Sequence, residues 1–197
     1  MKFKAVISPL IAIALMACAS APQAGTPRVR IYGDSISACH HCWPNQLEMA
    51  MGMDLNIQNT SQAGRTLAGS LIEEDLYDGV IEDSVAVIFL GVNDWGRRLS
   101  TPHHFKFKLK KLIETLKFSG FQVLVVNIPF TGGGYRKAIF EAAQECEVAI
   151  LDLMKYWPMP ELVPDGVHPS EEGSHQIAAV MAERIYWLLR KDAGEDS

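Results

Sequence analysis

Apolar residues along this chain fall into two kinds of run, and they alternate. Val29 to Tyr32 is a short β-rich run that stops at Gly33, and Leu55 to Thr60 alternates apolar with polar residues as a strand does. Val85 to Leu90 is apolar at every position, which predicts a parallel strand covered on both faces. Phe121 to Ile128 reads as another buried strand and Val148 to Leu153 as the last. Between these runs the period lengthens. Pro44 to Met53 reads as a helix, Thr101-Pro102 supplies a cap and a first-turn proline, and Phe105, Leu109, Leu112, Ile113 and Leu116 form one stripe ended by Gly120. Lysines occupy the opposite face of that helix, as a solvated face would have them. Tyr135 to Glu145 predicts a further helix. Pro169-Ser170-Glu171-Glu172 opens the final one, striped by Ile177, Val180, Met181, Ile185, Leu188 and Leu189. Strand and helix in repeated alternation predict an α/β chain, a doubly wound three-layer α/β/α sandwich on a five-stranded parallel sheet.

Composition fits one such domain: 197 residues with 48% apolar content suffice for a full core and exclude a disordered or fibrous class. The first residues follow another logic. Lys2 and Lys4 precede an apolar run from Ala5 to Ala17, too short to span a bilayer, and then Cys18 followed by small residues. Residues 1–17 therefore read as an export signal, 18–27 as an Ala/Pro/Ser/Gly tether, and 28–197 as the folded domain. Leu15-Met16-Ala17-Cys18 resembles a bacterial lipoprotein signal, which implies a lipid-modified Cys18, a membrane anchor and a periplasm-facing location, more at the outer than the inner membrane; cleavage without lipidation implies secretion. Loss of two lysines and no acids takes the net charge from −5 to −7, which argues against a nucleic-acid partner.

Four short motifs carry the chemistry: Gly33-Asp34-Ser35-Ile36, Ser61-Gln62-Ala63-Gly64, Gly91-Val92-Asn93-Asp94, and Asp165-Gly166-Val167-His168. Ser35, Gly64 and Asn93 each lie just past a predicted strand, where open parallel sheets bind ligands. If the strand order is 2-1-3-4-5, Ser35 and Asn93 face each other across the switch point between the first and third strands. A serine hydroxyl becomes a nucleophile when a base takes its proton and a carboxylate orients that base, and Asp165 with His168 can supply both. The backbone N–H groups of Ser35 and Gly64 and the Asn93 amide are candidate oxyanion donors. Taken singly, each motif also reads as a turn or helix cap.

Together the four blocks resemble the SGNH, or GDSL-type, hydrolases. The resemblance implies the flavodoxin-like SGNH hydrolase fold, no metal or other cofactor, and a serine esterase or lipase acting through an acyl-enzyme. It implies Ser35 as nucleophile, His168 as base, Asp165 as its orienter, and Ser35, Gly64 and Asn93 as the oxyanion hole. The substrates it admits are esters of small or medium acyl groups: acetylated carbohydrate, lysophospholipid, short-chain esters and thioesters. Ser37 stands where the second glycine of a Gly-x-Ser-x-Gly elbow would be, so an ordinary α/β-hydrolase is disfavoured.

Other residues invite roles around this centre. Trp95, Arg97 and Arg98 follow Asn93, Tyr135 follows a triple glycine and Trp157 precedes the Asp165 block, so their loops should border the crevice. Trp95, Arg97, Tyr135 and Trp157 are the candidate substrate contacts, though each equally reads as loop packing. Cys39-His40-His41-Cys42 reads first as a local disulfide in an oxidising compartment. The alternatives are a thioredoxin-like redox pair and a metal site with His103 and His104. Cys146 reads as a buried small hydrophobe. A non-catalytic envelope lipoprotein that keeps the fold as a binding module stands as the reading from another class.

Overall fold

The computed structural model describes residues 25–67 and 84–192. The expected signal, Cys18 and the tether as far as residue 24 lie outside the described residues. Five parallel strands form one sheet: β1 (Arg28–Gly33), β2 (Asn56–Asn59), β3 (Ser84–Phe89), β4 (Gln122–Asn127) and β5 (Ala149–Asp152), in the order β2-β1-β3-β4-β5. From β1 the chain steps outward to β2, then crosses back to β3. β1 pairs with β3 through Gly33 opposite Phe89, so the chain leaves those two neighbouring strands at the same end of the sheet.

Two-residue alternation sorts the strand side chains into two cores. Val29, Ile31, Val85, Val87, Phe89, Leu124 and Val126 face α1 (Ser35–Ala38), α2 (Leu47–Met51) and α6 (Glu171–Asp192). Tyr32, Ala86, Ile88, Val123 and Val125 face α4 (Pro102–Phe118) and α5 (Gly133–Glu145). The expected α4 stripe of Phe105, Leu109, Leu112, Ile113 and Leu116 is buried throughout. At about 1.5–3 kcal/mol per fully buried large side chain, that stripe suffices to hold the helix to the sheet.

Two stretches differ from their sequence patterns. The helix expected over Pro44–Met53 is a 3-10 turn at Trp43–Gln46 followed by the five residues of α2, closed by Gly52 at φ 64°. A further short helix, α3 (Val92–Gly96), follows β3. No helix among the described residues is long and apolar enough to cross a membrane.

Candidate active site

Ser35 is the first residue of α1, and what puts it there is Asp34. The Asp34 side chain accepts the Ile36 N–H at 3.1 Å, capping the helix, and Ile36 is buried in the core below. As a first-turn residue, Ser35 has a backbone N–H with no intrahelical acceptor. Gly33 is obligatory for packing: a Cβ there would stand 2.6 Å from Ser61 Oγ and 2.7 Å from Ser37 Cβ. After α1 the chain closes on itself through the Cys39–Cys42 disulfide, with Cα atoms 5.1 Å apart. Trp43, fully buried, donates its indole N–H to Ser37 Oγ at 2.9 Å and so ties this loop back to the helix.

His168 arrives from the opposite end of the chain. Ser170 caps α6 by accepting the Gly173 N–H at 3.2 Å, and Glu171 and Glu172 sit in the first turn, where the helix dipole favours acids. Just before that cap, Asp165 Oδ1 accepts the N–H groups of Val167 (2.9 Å) and His168 (2.6 Å), while Oδ2 lies 2.6 Å from His168 Nδ1. The other ring nitrogen, Nε2, is 2.8 Å from Ser35 Oγ. Asp165 thus orients His168 through both backbone and ring. The His168 N–H first, then its ring, then the Val167 N–H hold the Asp165 carboxyl below the usual carboxylate range. It therefore stays ionised in mild acid. The dyad is open, with the His168 side chain 46% and that of Asp165 55% exposed.

The third and fourth sides come from two loops tied together. Gly64 adopts φ 75°, a left-handed conformation that disfavours side chains, and the next residue, Arg65, is buried and donates to the Thr60 carbonyl at 2.6 Å. Asn93 Nδ2 donates to the Arg65 carbonyl at 3.1 Å, leaving its second amide hydrogen for another acceptor. Asp94, fully buried, accepts the Leu67 N–H at 2.9 Å. Asn93 and Asp94 therefore fix the Gly64 loop against α3, a positioning role beyond the oxyanion donor or helix cap that their motif suggests.

The candidate substrate contacts separate. Trp95 is 43% exposed, with its indole laid on Gly132, where no Cβ would fit. It borders a groove of about 330 Å³ with Arg98, Ser100 and the Gly132–Gly134 stretch. Arg97 is exposed and reaches over Gly64. Trp157 is half-buried with its ring edge-on to Phe130, centroids 5.2 Å apart. Tyr135 lines the Trp95 groove from below: it packs against Phe105 with little exposed surface and donates its hydroxyl to the Ser100 carbonyl, so it braces the groove as well as bordering it. Cys39 and Cys42 are bonded to each other around His40 and His41, and among the described residues no group of three or more His, Cys, Asp or Glu is arranged to hold a metal. Cys146 is buried with a free thiol.

Asp34 has one more property. It has no exposed surface, its Oδ2 has no hydrogen-bond partner, and burial pushes its carboxyl from an ordinary 3.8 up to about 6, offset in part by the Ile36 N–H and the His168 charge. A folded value raised above the unfolded one means that ionisation opposes folding. The protonated form's advantage is fully present below pH 4 and lost as pH rises through 6. Asp34→Asn keeps the capping oxygen and cannot ionise. Its stability relative to the parent, from urea midpoints, should rise between pH 4 and pH 8 by up to about 3 kcal/mol. An offset that stays constant across that range would contradict a buried, raised carboxyl.

The family model for GDSL-like lipase/acylhydrolase matches residues 31–176, from inside β1 to the start of α6. A curated arylesterase from Vibrio mimicus is 29% identical over 195 residues, covering 89% of this chain and 96% of that one. Among solved structures, the psychrotrophic esterase EstA from Pseudoalteromonas sp. superposes with a TM-score of 0.70 at 20% identity, over 83% of this chain and 98% of that one. The acetyl xylan esterase AlAXEase gives a TM-score of 0.65 at 20% identity, over 80% and 98%.

Proposed function

The chain belongs to the GDSL-like lipase/acylhydrolase family, and from that premise we propose that it is a serine esterase cleaving carboxylic esters of small or medium acyl groups through an acyl-enzyme. One observation carries this reading: Ser35 Oγ, His168 Nε2, His168 Nδ1 and Asp165 Oδ2 form a continuous hydrogen-bonded line, with links of 2.8 Å and 2.6 Å, between residues 133 positions apart.

In the reaction, Ser35 Oγ attacks the ester carbonyl while His168 Nε2 takes the hydroxyl proton, and Asp165 stabilises the imidazolium. The carbonyl oxygen becomes an oxyanion held by the N–H groups of Ser35 and Gly64 and the free Asn93 amide hydrogen. Collapse of this intermediate breaks the bond to the alcohol, which leaves with the proton from His168. Water then attacks the acyl-serine with His168 again as base, releasing the acid and restoring Ser35. Asn93→Ala removes one donor and should lower kcat about 10²- to 10³-fold. Full activity in that variant would remove Asn93 from the oxyanion hole.

A short acyl group or a single sugar ring suits the roughly 330 Å³ groove beside Trp95. The arylesterase and acetyl xylan esterase relatives act on esters of that scale in name. Neither the Trp95 groove nor the larger one of about 730 Å³ between α5, β5 and α6 includes Ser35 or His168, but the first is lined by Trp95 of α3, the helix that carries Asn93, and the second by no residue of that helix. The Pseudoalteromonas esterase structure is one inhibited by monoethylphosphonate, and the same reagent class tests Ser35 here. A fluorophosphonate should add to Ser35, with the adduct on the residue 35 peptide by mass spectrometry. A folded, unlabelled sample would reject the reading in favour of a binding module.

The proposal includes export and anchoring through a lipid on Cys18, supported by the apolar run before it and the small residues after it. An intact N-terminus on the exported protein would contradict this.

A further inference from the structure

The reaction above leaves one cation at the site without a role. Arg97 caps the C-terminus of α3, is exposed, and lays its guanidinium over Gly64. A Cβ on residue 64 would lie 2.8 Å from Nη2, 3.7 Å from Cζ and 3.9 Å from Nη1. Since a Cβ stands roughly 2.5 Å from its own backbone nitrogen, Nη2 lies within about 5 Å of the Gly64 nitrogen. Gly64 is thus glycine for two reasons, its positive φ and this close approach.

Among the described residues Arg97 has no carboxylate partner, whereas Arg136 pairs with Asp152 at 2.8 Å and Lys106 with Glu141 at 2.8 Å. Its neighbour Arg98, at φ 51°, lines the Trp95 groove instead. The two adjacent arginines therefore address different places. A guanidinium presents planar, paired donors that match a carboxylate or phosphate, and at this exposed position it keeps them free for a ligand.

We propose that Arg97 is a specificity-determining residue that favours esters carrying a negative charge close to the scissile carbonyl. This rests on the esterase reading above. The oxyanion is common to every ester, so a cation beside it does not distinguish substrates by that charge. A fixed anion on the acyl or alcohol side does, and at about 5 Å in a partly hydrated cleft the attraction is worth roughly tenfold in kcat/KM.

The test compares matched substrates, ethyl butyrate with monoethyl succinate and phenyl acetate with acetylsalicylate, for the parent, Arg97→Gln and Arg97→Lys. The readout is the ratio of kcat/KM for the anionic member to that for the neutral one. We expect the ratio to fall about tenfold in Arg97→Gln for at least one pair, mainly through KM, and to recover in part in Arg97→Lys. In the parent it should also fall as NaCl is raised. A purely structural Arg97 would lower both members together and leave both ratios unchanged, which overturns the proposal while the esterase reading stands. A parent that is labelled by fluorophosphonate yet hydrolyses none of the four esters overturns the small-acyl reading and this proposal together.

Discussion

Ser35→Ala is expected to lower kcat on any ester the parent hydrolyses by on the order of 10⁴-fold or more, with the fold unchanged. The expectation of an intact fold comes from how α1 is built. Its cap is the Asp34 side chain, its anchor is buried Ile36, and its exit is held by the Cys39–Cys42 disulfide and the Trp43 indole, none of which uses Ser35 Oγ. Only the link to His168 Nε2 is lost. Because nucleophile and base act as one unit, adding His168→Ala to Ser35→Ala should cost little more. Stopped assays with melting curves as controls decide this. Retention of a tenth of parental activity would mean that another group attacks the ester.

Asp165→Asn should cost about 10³- to 10⁴-fold in kcat, although the substitution is nearly isosteric. An asparagine Oδ1 can still accept the Val167 and His168 N–H groups, so the turn before α6 persists. The group facing His168 Nδ1 becomes an NH₂ donor. The ring must then accept at Nδ1 and carry its proton on Nε2, pointing at Ser35 Oγ, where it cannot take a proton away. Fluorophosphonate labelling should slow in step with turnover. Activity within tenfold of the parent would show that the ring is oriented by something other than Asp165.

Much of this arrangement is legible from residue order, and what is not has physical causes. Strands buried on both faces write themselves as unbroken apolar runs, and the α4 stripe has the length that a helical period needs. α1 has neither. Four residues, two of them serine, hold no period, and the helix exists because Asp34 caps it and Ile36 finds the core. The burial of Asp34 is equally silent in sequence, since an acid beside glycine and serine reads as a surface turn. Tyr135 shows the opposite case. Its position after three glycines points to a cleft, and it does line the Trp95 groove, while Tyr135, Ala138, Ile139 and Ala142 also form a helical core stripe that the same residues announce. Arg97 and Gly64 meet only through the crossing of two loops, which no local pattern encodes.

The two cores divide the site's duties. Ser35 stands on α1 and His168 just before α6, both on the side of the core that α6 covers, whereas the Gly132–Gly134 wall and the Tyr135 brace belong to the layer of α4 and α5. The Ser35–His168 link is thus supported from one face of the sheet and part of the Trp95 groove from the other. For protein engineering this separates two libraries: substitutions in the α4–α5 layer can reshape the groove's floor and rim, while the packing that aligns serine and histidine is left untouched.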